Sequence, residues 1–170
     1  FHPYLFKPSR SLQKKLRQSA FYLSVDRCFT DVMRACAAPR AYAGDTWITE
    51  FFIEGYTQLH QRGIAHSIEV WNPQHQLIGG LYGLNLGQIF FGESMFHRET
   101  DASKVAFCYL MQLCQQLDIP LVDGQVENPH LMSLGAKLIS RDAYLEQLSL
   151  AATQASPSWQ SLPAFNPVFF

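Results

Sequence analysis

Two dense blocks of glycines, carboxylates and amides interrupt the apolar strands of this chain and constrain its fold more than any other feature. The first block runs from Gly79 to Lys104 and the second from Leu121 to Ala136. Each has a polar cluster within or directly after an apolar run, at 92–94 and at 123–125. Polar groups buried without a partner cost about 1–3 kcal/mol each, so these groups must be paired or used. The pattern predicts a pocket with apolar walls and a polar floor, as small-ligand sites have.

The composition is typical of a globular protein, but the charged residues are unevenly distributed along the chain. The 170 residues are 48% hydrophobic and 16% charged, which suits one domain with a sizeable core. The net charge is only −1, yet the charges within residues 1–20 are all basic, namely Lys7, Arg10, Lys14, Lys15 and Arg17. Such a segment is a candidate surface for phosphate contacts, and the alternative is an ordinary solvated helix face.

Cysteines and histidines show no spacing typical of a metal site, so no metal is expected. Cys28, Cys36, Cys108 and Cys114 lie in apolar helical patterns without a C-x-x-C pair, which favours buried free thiols and a reducing cytoplasm. No apolar run approaches the roughly 20 residues that span a bilayer, so no membrane partner is expected. We therefore expect a cytoplasmic protein, and we expect it to be a monomer.

Hydrophobic periodicity predicts an antiparallel meander that is followed by a helix and a further strand. The predicted helices span 9–19, 26–36, 49–63, 101–113, 130–134 and 141–150. The predicted strands span 21–25, 65–71, 76–82, 86–91, 121–126 and 137–139. This order predicts an α+β domain with a central, mostly antiparallel sheet flanked by helices. We divide the chain into a basic helical segment (1–20), a main domain (21–150) and an aromatic, proline-rich tail (151–170) that wraps the domain.

Three acidic or amide side chains are the candidates for chemistry. Asp123 and Gln125 are two residues apart in a predicted strand, so both side chains point to one side, about 6–7 Å apart. The alternative is that Asp123 caps the next helix. Glu93 lies among aromatic residues and needs a cationic or donor partner. An ion pair with Arg98 or Lys104 is the structural alternative.

The two blocks and the segments before them also match a known family. The matching segments occur in order over roughly residues 7–150, namely 46–49, 65–71, 79–83, 91–96, 102–104, 123–126, Asn128, His130 and 133–136. With these segments the chain resembles the bacterial leucyl/phenylalanyl-tRNA–protein transferases. The resemblance implies an acyl-CoA N-acyltransferase-like fold, with 21–150 as the catalytic domain.

The resemblance implies an aminoacyltransferase that needs no cofactor. It would move Leu, Phe or Met from aminoacyl-tRNA to the N-terminal Arg or Lys of acceptor proteins and so mark them for degradation. The sequence has no glycine-rich pyrophosphate loop between a strand and the following helix, which speaks against acetyl-CoA. Two alternatives stay open: an acyltransferase of the same fold with another donor or acceptor, and a non-catalytic paralogue that binds aminoacyl-tRNA or peptide.

The resemblance also implies roles for individual residues. Asp123 and Gln125 match the proposed catalytic pair, in which the Gln carbonyl takes a proton from the acceptor amine and the Asp orients the Gln. Glu93 matches a residue that orients the reacting groups. The implied pocket walls are Leu81, Phe90, Met95, Leu110 and Val122. Each of these, taken alone, also suits a plain core position.

Further positions match residues that contact tRNA. Trp47 matches a Trp at the pocket mouth that stacks on the terminal adenosine, although a buried core Trp is the alternative. The residues that match a contact with the acceptor stem are Arg10, Lys14, Lys15 and Arg17.

The chain departs from the family pattern in three places. The family's N-terminal domain with its Trp-Trp-Ser-Pro segment is absent, so we expect a short form. His97 stands where a small residue is common, and Gly124 stands where Cys is frequent. None of these departures removes a proposed catalytic group.

Overall fold

The computed structural model describes residues 1–18, 21–38, 46–161 and 166–167. Its strands are β1 (Tyr22–Val25), β2 (Ala65–Trp71), β3 (Leu77–Leu86), β4 (Ile89–His97), β5 (Leu121–Asp123) and β6 (Asn166–Pro167). Its α-helices are α1 (Arg10–Gln18), α2 (Phe29–Ala37), α3 (Glu50–Gln61), α4 (Ala102–Gln116), α5 (Pro129–Ser133) and α6 (Arg141–Ala152). Short 3-10 helices cover Pro3–Leu5 and Trp159–Ser161.

The strands form one sheet in the order β5-β4-β3-β2-β1-β6. All neighbouring pairs are antiparallel except β4 and β5, which run parallel. Parallel neighbours need a crossover connection, and α4 supplies it. The predicted α+β fold with a mostly antiparallel sheet is therefore confirmed.

Helices cover both faces of this sheet. Side chains of α1 and α4 pack with one core cluster, and those of α2 and α3 pack with another. Successive residues of a strand point to opposite faces, so Leu81 packs with the α4 cluster and the adjacent Tyr82 with the α2–α3 cluster. Neighbouring positions of β3 thus line different sides of the sheet.

The parallel strands β4 and β5 separate at one end. Their pairing begins at Ile89 with Leu121 and ends at Phe91 with Asp123. β5 stops there, whereas β4 continues to His97. The remainder of β4 consequently borders an opening in the sheet.

Several predicted boundaries were wrong, and close packing explains the largest error. The predicted strands 76–82 and 86–91 leave a turn that begins at Gly83, but β3 continues through this glycine to Leu86, and Gly87 turns the chain with a φ of 58°. A Cβ at Gly83 would lie 2.5 Å from the ring of Phe90, so the glycine permits a close approach within the sheet. The predicted strand 137–139 is also wrong, because this segment is exposed and lies in no strand.

The helix predicted to begin at Asp26 begins later, and Asp26 does not cap it. That helix begins at Phe29, and Cys28 occupies its N-cap position. The Asp26 carboxylate instead accepts a hydrogen bond from the Ser67 backbone N–H at 2.8 Å and lies 2.7 Å from His66 Nδ1. Asp26 therefore joins the end of β1 to β2.

The cysteines have the environment that the sequence predicted. All four cysteines are free thiols, with Cys36, Cys108 and Cys114 buried and Cys28 half-buried, as predicted. Within the described part of the chain, no helix is both long enough and apolar enough to cross a membrane. The predicted loop 39–45 and the aromatic residues Phe165, Phe169 and Phe170 lie outside the described residues.

Trp159 attaches the C-terminal tail to the core. It is only 4% exposed, its ring stacks on His66 at 4.3 Å, and its Nε1 donates to Asn85 Oδ1 at 2.9 Å. The Asn85 amide group donates in turn to the carbonyl oxygens of Gly87 and Ile89. The buried Asn85 side chain therefore depends on Trp159 to satisfy its oxygen.

We expect Trp159→Phe to lower the free energy of unfolding by about 1–3 kcal/mol. Phenylalanine keeps an aromatic ring, although a smaller one, but the buried Asn85 oxygen loses its donor, and an unpaired buried acceptor by itself carries that cost. Urea denaturation followed by circular dichroism measures the change. Trp47→Phe is the control, since Trp47 is 47% exposed. Equal effects of the two substitutions would contradict the expectation.

Candidate active site

A cavity of about 730 Å³ occupies the opening between β4 and β5. Four of the five predicted pocket walls line it, and they are Leu81, Met95, Leu110 and Val122. Phe107 completes this apolar side, which faces α4. We call these five residues the acyl lobe.

The fifth predicted wall residue, Phe90, is not among the residues that line the cavity. It is fully buried, and its ring lies 5.6 Å from that of Trp159. Phe90 pairs with Val122 where β4 and β5 are still joined, before the strands separate. Its position within the closed part of the sheet makes it a core residue.

Asp123 and Gln125 are brought together by a turn rather than by a shared strand. β5 ends at Asp123, and Gln125 adopts a left-handed conformation with a φ of 64°. Asp123 Oδ1 accepts a hydrogen bond from the Gln125 backbone N–H at 2.7 Å. The prediction of a strand through Val126 was therefore wrong, and the Asp fixes the backbone of the Gln.

The side-chain amide of Gln125 is oriented by two acceptors. Its Nε2 donates to the Gly92 carbonyl oxygen at 3.0 Å, and the amide also hydrogen-bonds the Glu93 carboxylate. Only the NH₂ end can donate to these oxygens. Gln125 Oε1 is consequently the end of the amide that can accept a hydrogen bond. Gln125 itself is exposed and is not among the residues that line the cavity, although its neighbours Asp123 and Gly124 are.

Glu93 receives hydrogen bonds rather than an ion pair. It is the extra residue where the register of β3 and β4 shifts, and both Gln125 and Tyr56 hydrogen-bond its carboxylate. The proposed salt-bridge partners are engaged elsewhere: Arg98 donates to the Leu77 carbonyl, and Lys104 pairs with Asp101 at 2.8 Å. The structural alternative for Glu93 was therefore wrong.

Burial dominates the electrostatics of Glu93. Desolvation raises the pKa of this carboxyl group, the hydrogen bonds from Gln125 and Tyr56 lower it, and the nearby Asp123 raises it further. The pKa of Tyr56 is raised to about 12, mainly by burial and then by Glu93. Tyr56 therefore stays protonated at neutral pH and donates to Glu93.

Sequence reasoning missed two tyrosines of the site. Tyr56 and Tyr144 entered the sequence analysis only as members of the predicted helices 49–63 and 141–150. Tyr144 donates its hydroxyl to Asp123 Oδ2 at 2.7 Å. Burial, followed by this hydrogen bond, raises the pKa of Tyr144 to about 12. The sequence around these two tyrosines carries no signal that distinguishes them from tyrosines that only pack in a core.

Trp47, the predicted contact at the pocket mouth, and His97, a departure from the family pattern, have different positions relative to the cavity. Trp47 precedes α3, packs edge-on against Phe52 at 5.4 Å and is not a lining residue. His97 lines the cavity, and its Nδ1 lies 3.5 Å from Ser103 Oγ. The structure thus brings His97, but not Trp47, to the cavity.

The basic residues of α1 form a surface stripe away from the core. Arg10, Lys14 and Arg17 are exposed at spacings of four and three residues, which places them on one helix face. Lys15 is half-buried. Leu12 and Leu16 are buried on the opposite side. We call Arg10, Lys14 and Arg17 the basic stripe.

Comparison with known proteins identifies the family. A family model described as leucyl/phenylalanyl-tRNA protein transferase matches residues 1–149. The chain belongs to this family. A leucyl/phenylalanyl-tRNA–protein transferase from Cellvibrio japonicus is 55% identical over 146 residues, covering 86% of this chain. One from Psychrobacter arcticus is 48% identical over 158 residues, covering 91% of this chain.

The chain spans about three fifths of these transferases, namely 62% and 59% of their lengths. A solved protein from Pyrococcus furiosus, described as an acetyl transferase, has a TM-score of 0.53 at 11% identity. The matched region covers 71% of this chain and 95% of the Pyrococcus furiosus chain. At this identity the likeness concerns the fold alone, and it agrees with the acyltransferase-like fold that the resemblance implied.

Proposed function

We propose that this transferase-family chain moves an aminoacyl group from aminoacyl-tRNA to the α-amino group of an acceptor protein. The observation that most supports the proposal is the Gln125 amide, fixed by Gly92 and Glu93 beside an apolar cavity. Asp123, Gln125 and Glu93 act as the catalytic residues. Because aminoacyl-tRNA is a cytoplasmic substrate, we place the activity in the cytoplasm.

The acyl lobe selects the donor. Its apolar side chains suit Leu, Phe or Met, which are unbranched at Cβ. Met95 adapts to different shapes because a thioether side chain is flexible. An apolar pocket distinguishes side chains weakly, by about 1–3 kcal/mol for each methylene. Several donors are therefore expected to be accepted.

In the proposed reaction the acceptor amine attacks the ester carbon of the aminoacyl-tRNA. A carbon–nitrogen bond forms, the bond to the ribose oxygen breaks, and that oxygen receives the proton released by the amine. Gln125 Oε1 accepts a hydrogen bond from the amine and so aims its lone pair at the ester. An amide oxygen is a weak base, so positioning supplies most of the acceleration.

The carboxylates of the cavity favour a cationic acceptor. Glu93 and Asp123 both line it. An opposite charge within a partly desolvated site is attracted more strongly than in water. We therefore propose acceptors that begin with Arg or Lys.

The test is transfer of radiolabelled Leu or Phe from charged tRNA to a peptide that begins with Arg. The same peptide with an acetylated N-terminus is the matched control, because it keeps every side chain but has no free α-amine. Transfer to the free peptide alone supports the proposal. Failure of the folded protein to transfer, while it still binds the charged tRNA, contradicts it.

We propose that the basic stripe contacts tRNA phosphates. We expect the double substitution Lys14→Gln and Arg17→Gln to weaken tRNA binding and to reduce the salt slope of log K by about two, because each phosphate contact releases roughly one counterion. Filter binding at several salt concentrations measures the slope. The control is Lys137→Gln with Arg141→Gln, which removes two exposed charges elsewhere. Equal slopes for the two double variants would contradict the assignment.

A further inference from the structure

The hydroxyl of Tyr82 is a buried polar group that the proposed mechanism does not use. Tyr82 is 0% exposed, and it lines the cavity. Its hydroxyl oxygen has no hydrogen-bond partner among the residues that the structure describes. Buried polar atoms without a partner are uncommon in native proteins, and each one calls for an explanation.

Tyr82 faces the opposite side of the sheet from the acyl lobe. Its ring lies edge-on to those of Tyr56 at 5.6 Å and Phe29 at 6.0 Å. Ala35, Ala38 and Phe96 line the same side of the cavity. We call Ala35, Ala38, Tyr82 and Phe96 the α2-side lobe.

The cavity therefore has two lobes that meet at the catalytic groups. Leu81 pairs with Met95, and this pair lies on the face covered by α4. Tyr82 pairs with Ser94, and this pair lies on the opposite face of the sheet. Glu93 is the unpaired residue next to the Tyr82–Ser94 pair, at the register shift. Its carboxylate is hydrogen-bonded by Gln125 and by Tyr56, and Tyr56 belongs to the α2–α3 side. A reaction between two substrates needs two such spaces with the reacting groups between them.

We propose that the α2-side lobe takes the first residues of the acceptor polypeptide and that the Tyr82 hydroxyl donates a hydrogen bond to a main-chain carbonyl there. The inference rests on the proposed transfer reaction. The acyl lobe takes an apolar side chain, which offers no group that could pair with a hydroxyl. A peptide carbonyl is an acceptor that every acceptor protein supplies, whatever its sequence.

The protonation state of Tyr82 agrees with a donor role. Burial is the largest cause that raises the pKa of its hydroxyl, and the neighbouring Cys36, Tyr56 and Glu93 raise it further. The phenol is therefore neutral at physiological pH. Tyr82 is a binding residue in this proposal and transfers no proton.

The test compares wild-type protein with Tyr82→Phe in steady-state transfer. The variant is expected to raise the KM for an Arg-initiated peptide about three- to tenfold, the effect of one hydrogen bond. The KM for aminoacyl-tRNA is expected to stay unchanged. The melting temperature is expected not to fall, because the lost hydroxyl has no partner among the residues that the structure describes. Tyr109→Phe, which removes another buried hydroxyl outside the cavity lining, is the control.

Two results would overturn the inference. One is a peptide KM in Tyr82→Phe within twofold of the wild-type value, and the other is a rise in the KM for the donor instead. Calorimetric titration of the peptide into both proteins separates this inference from the proposed function. If the wild-type protein catalyses no transfer, the proposed function is refuted. If the peptide binds wild type and Tyr82→Phe with equal affinity, the role of Tyr82 is refuted.

Discussion

Replacement of Gln125 by alanine is expected to slow aminoacyl transfer by at least about 100-fold. The substitution removes the oxygen that positions the acceptor amine, and misplacement of a reacting group by about 1 Å already has an effect of that size. It also leaves the Gly92 carbonyl and the Glu93 carboxylate without their donor. Single-turnover transfer from preformed charged tRNA measures the chemical step.

Asp123→Ala is expected to have a similar effect through the backbone. The Asp123 carboxylate accepts hydrogen bonds from the Gln125 backbone N–H and from the Tyr144 hydroxyl of α6. Its loss therefore frees the turn at Gln125 and also removes the contact between this turn and α6. Left-handed backbone at a non-glycine residue is costly and persists only where its surroundings fix it. We expect Gln125 to leave its catalytic orientation in this variant.

Gln125→Glu distinguishes positioning from proton abstraction. A carboxylate is a much stronger base than an amide oxygen, so an essential base at this position would make the variant active. The structure predicts the opposite, because a carboxylate cannot donate to Gly92 O and would repel Glu93. We expect Gln125→Glu to be as slow as Gln125→Ala. A variant at least as fast as wild type would contradict the positioning mechanism.

The fold follows from patterns that a sequence displays openly. Alternation of apolar residues located β1 and β2, and the apolar stripe between Thr49 and Gly63 located α3. The end of β3 and the start of β4 were harder to predict from the sequence, because glycine, as at Gly83, is common both in turns and at close contacts within a sheet. Only the positions of the Phe91 carbonyl oxygen and the Phe90 ring distinguish these uses.

The site was predictable by residue type but not by geometry. Asp123, Gln125 and Glu93 are polar residues in apolar surroundings, and that contrast is visible in the sequence. The left-handed φ of Gln125 is not visible, since it depends on a hydrogen bond from its own backbone to Asp123. Tyr82 shows the same limit: alternation predicts its strand, yet the absence of a hydroxyl partner among the described residues arises only from three-dimensional packing.

Glu93→Gln is expected to lower transfer at neutral pH by about 10- to 100-fold. The glutamine keeps the size of the side chain and can still accept from the Tyr56 hydroxyl, so the fold is retained. What is lost is a charge-assisted hydrogen bond to Gln125 and the attraction for a cationic acceptor. Hydrogen bonds to charged groups contribute about 1.5–3 kcal/mol, which corresponds to this range of rates. Transfer at saturating charged tRNA measures the loss.

The pH profile provides a second and more specific signature of Glu93. The acceptor amine must be neutral to attack, and its pKa is about 8, so the rate falls with decreasing pH in both proteins. Burial raises the pKa of Glu93 above its ordinary value of 4.5. As the pH falls through that raised pKa, the wild-type carboxylate becomes protonated, and this second proton makes the decline steeper.

The variant lacks the titration of Glu93, so its decline is expected to be less steep than that of the wild type. The comparison requires kcat/KM for the peptide from pH 8 downward, with circular dichroism at each pH to confirm that both proteins are folded. A wild-type profile with the slope of one proton, or a variant profile as steep as that of the wild type, would show that the ionised Glu93 is not required. The ionised carboxylate is required in our mechanism because it fixes the Gln125 amide and attracts the cationic N-terminal residue of the acceptor.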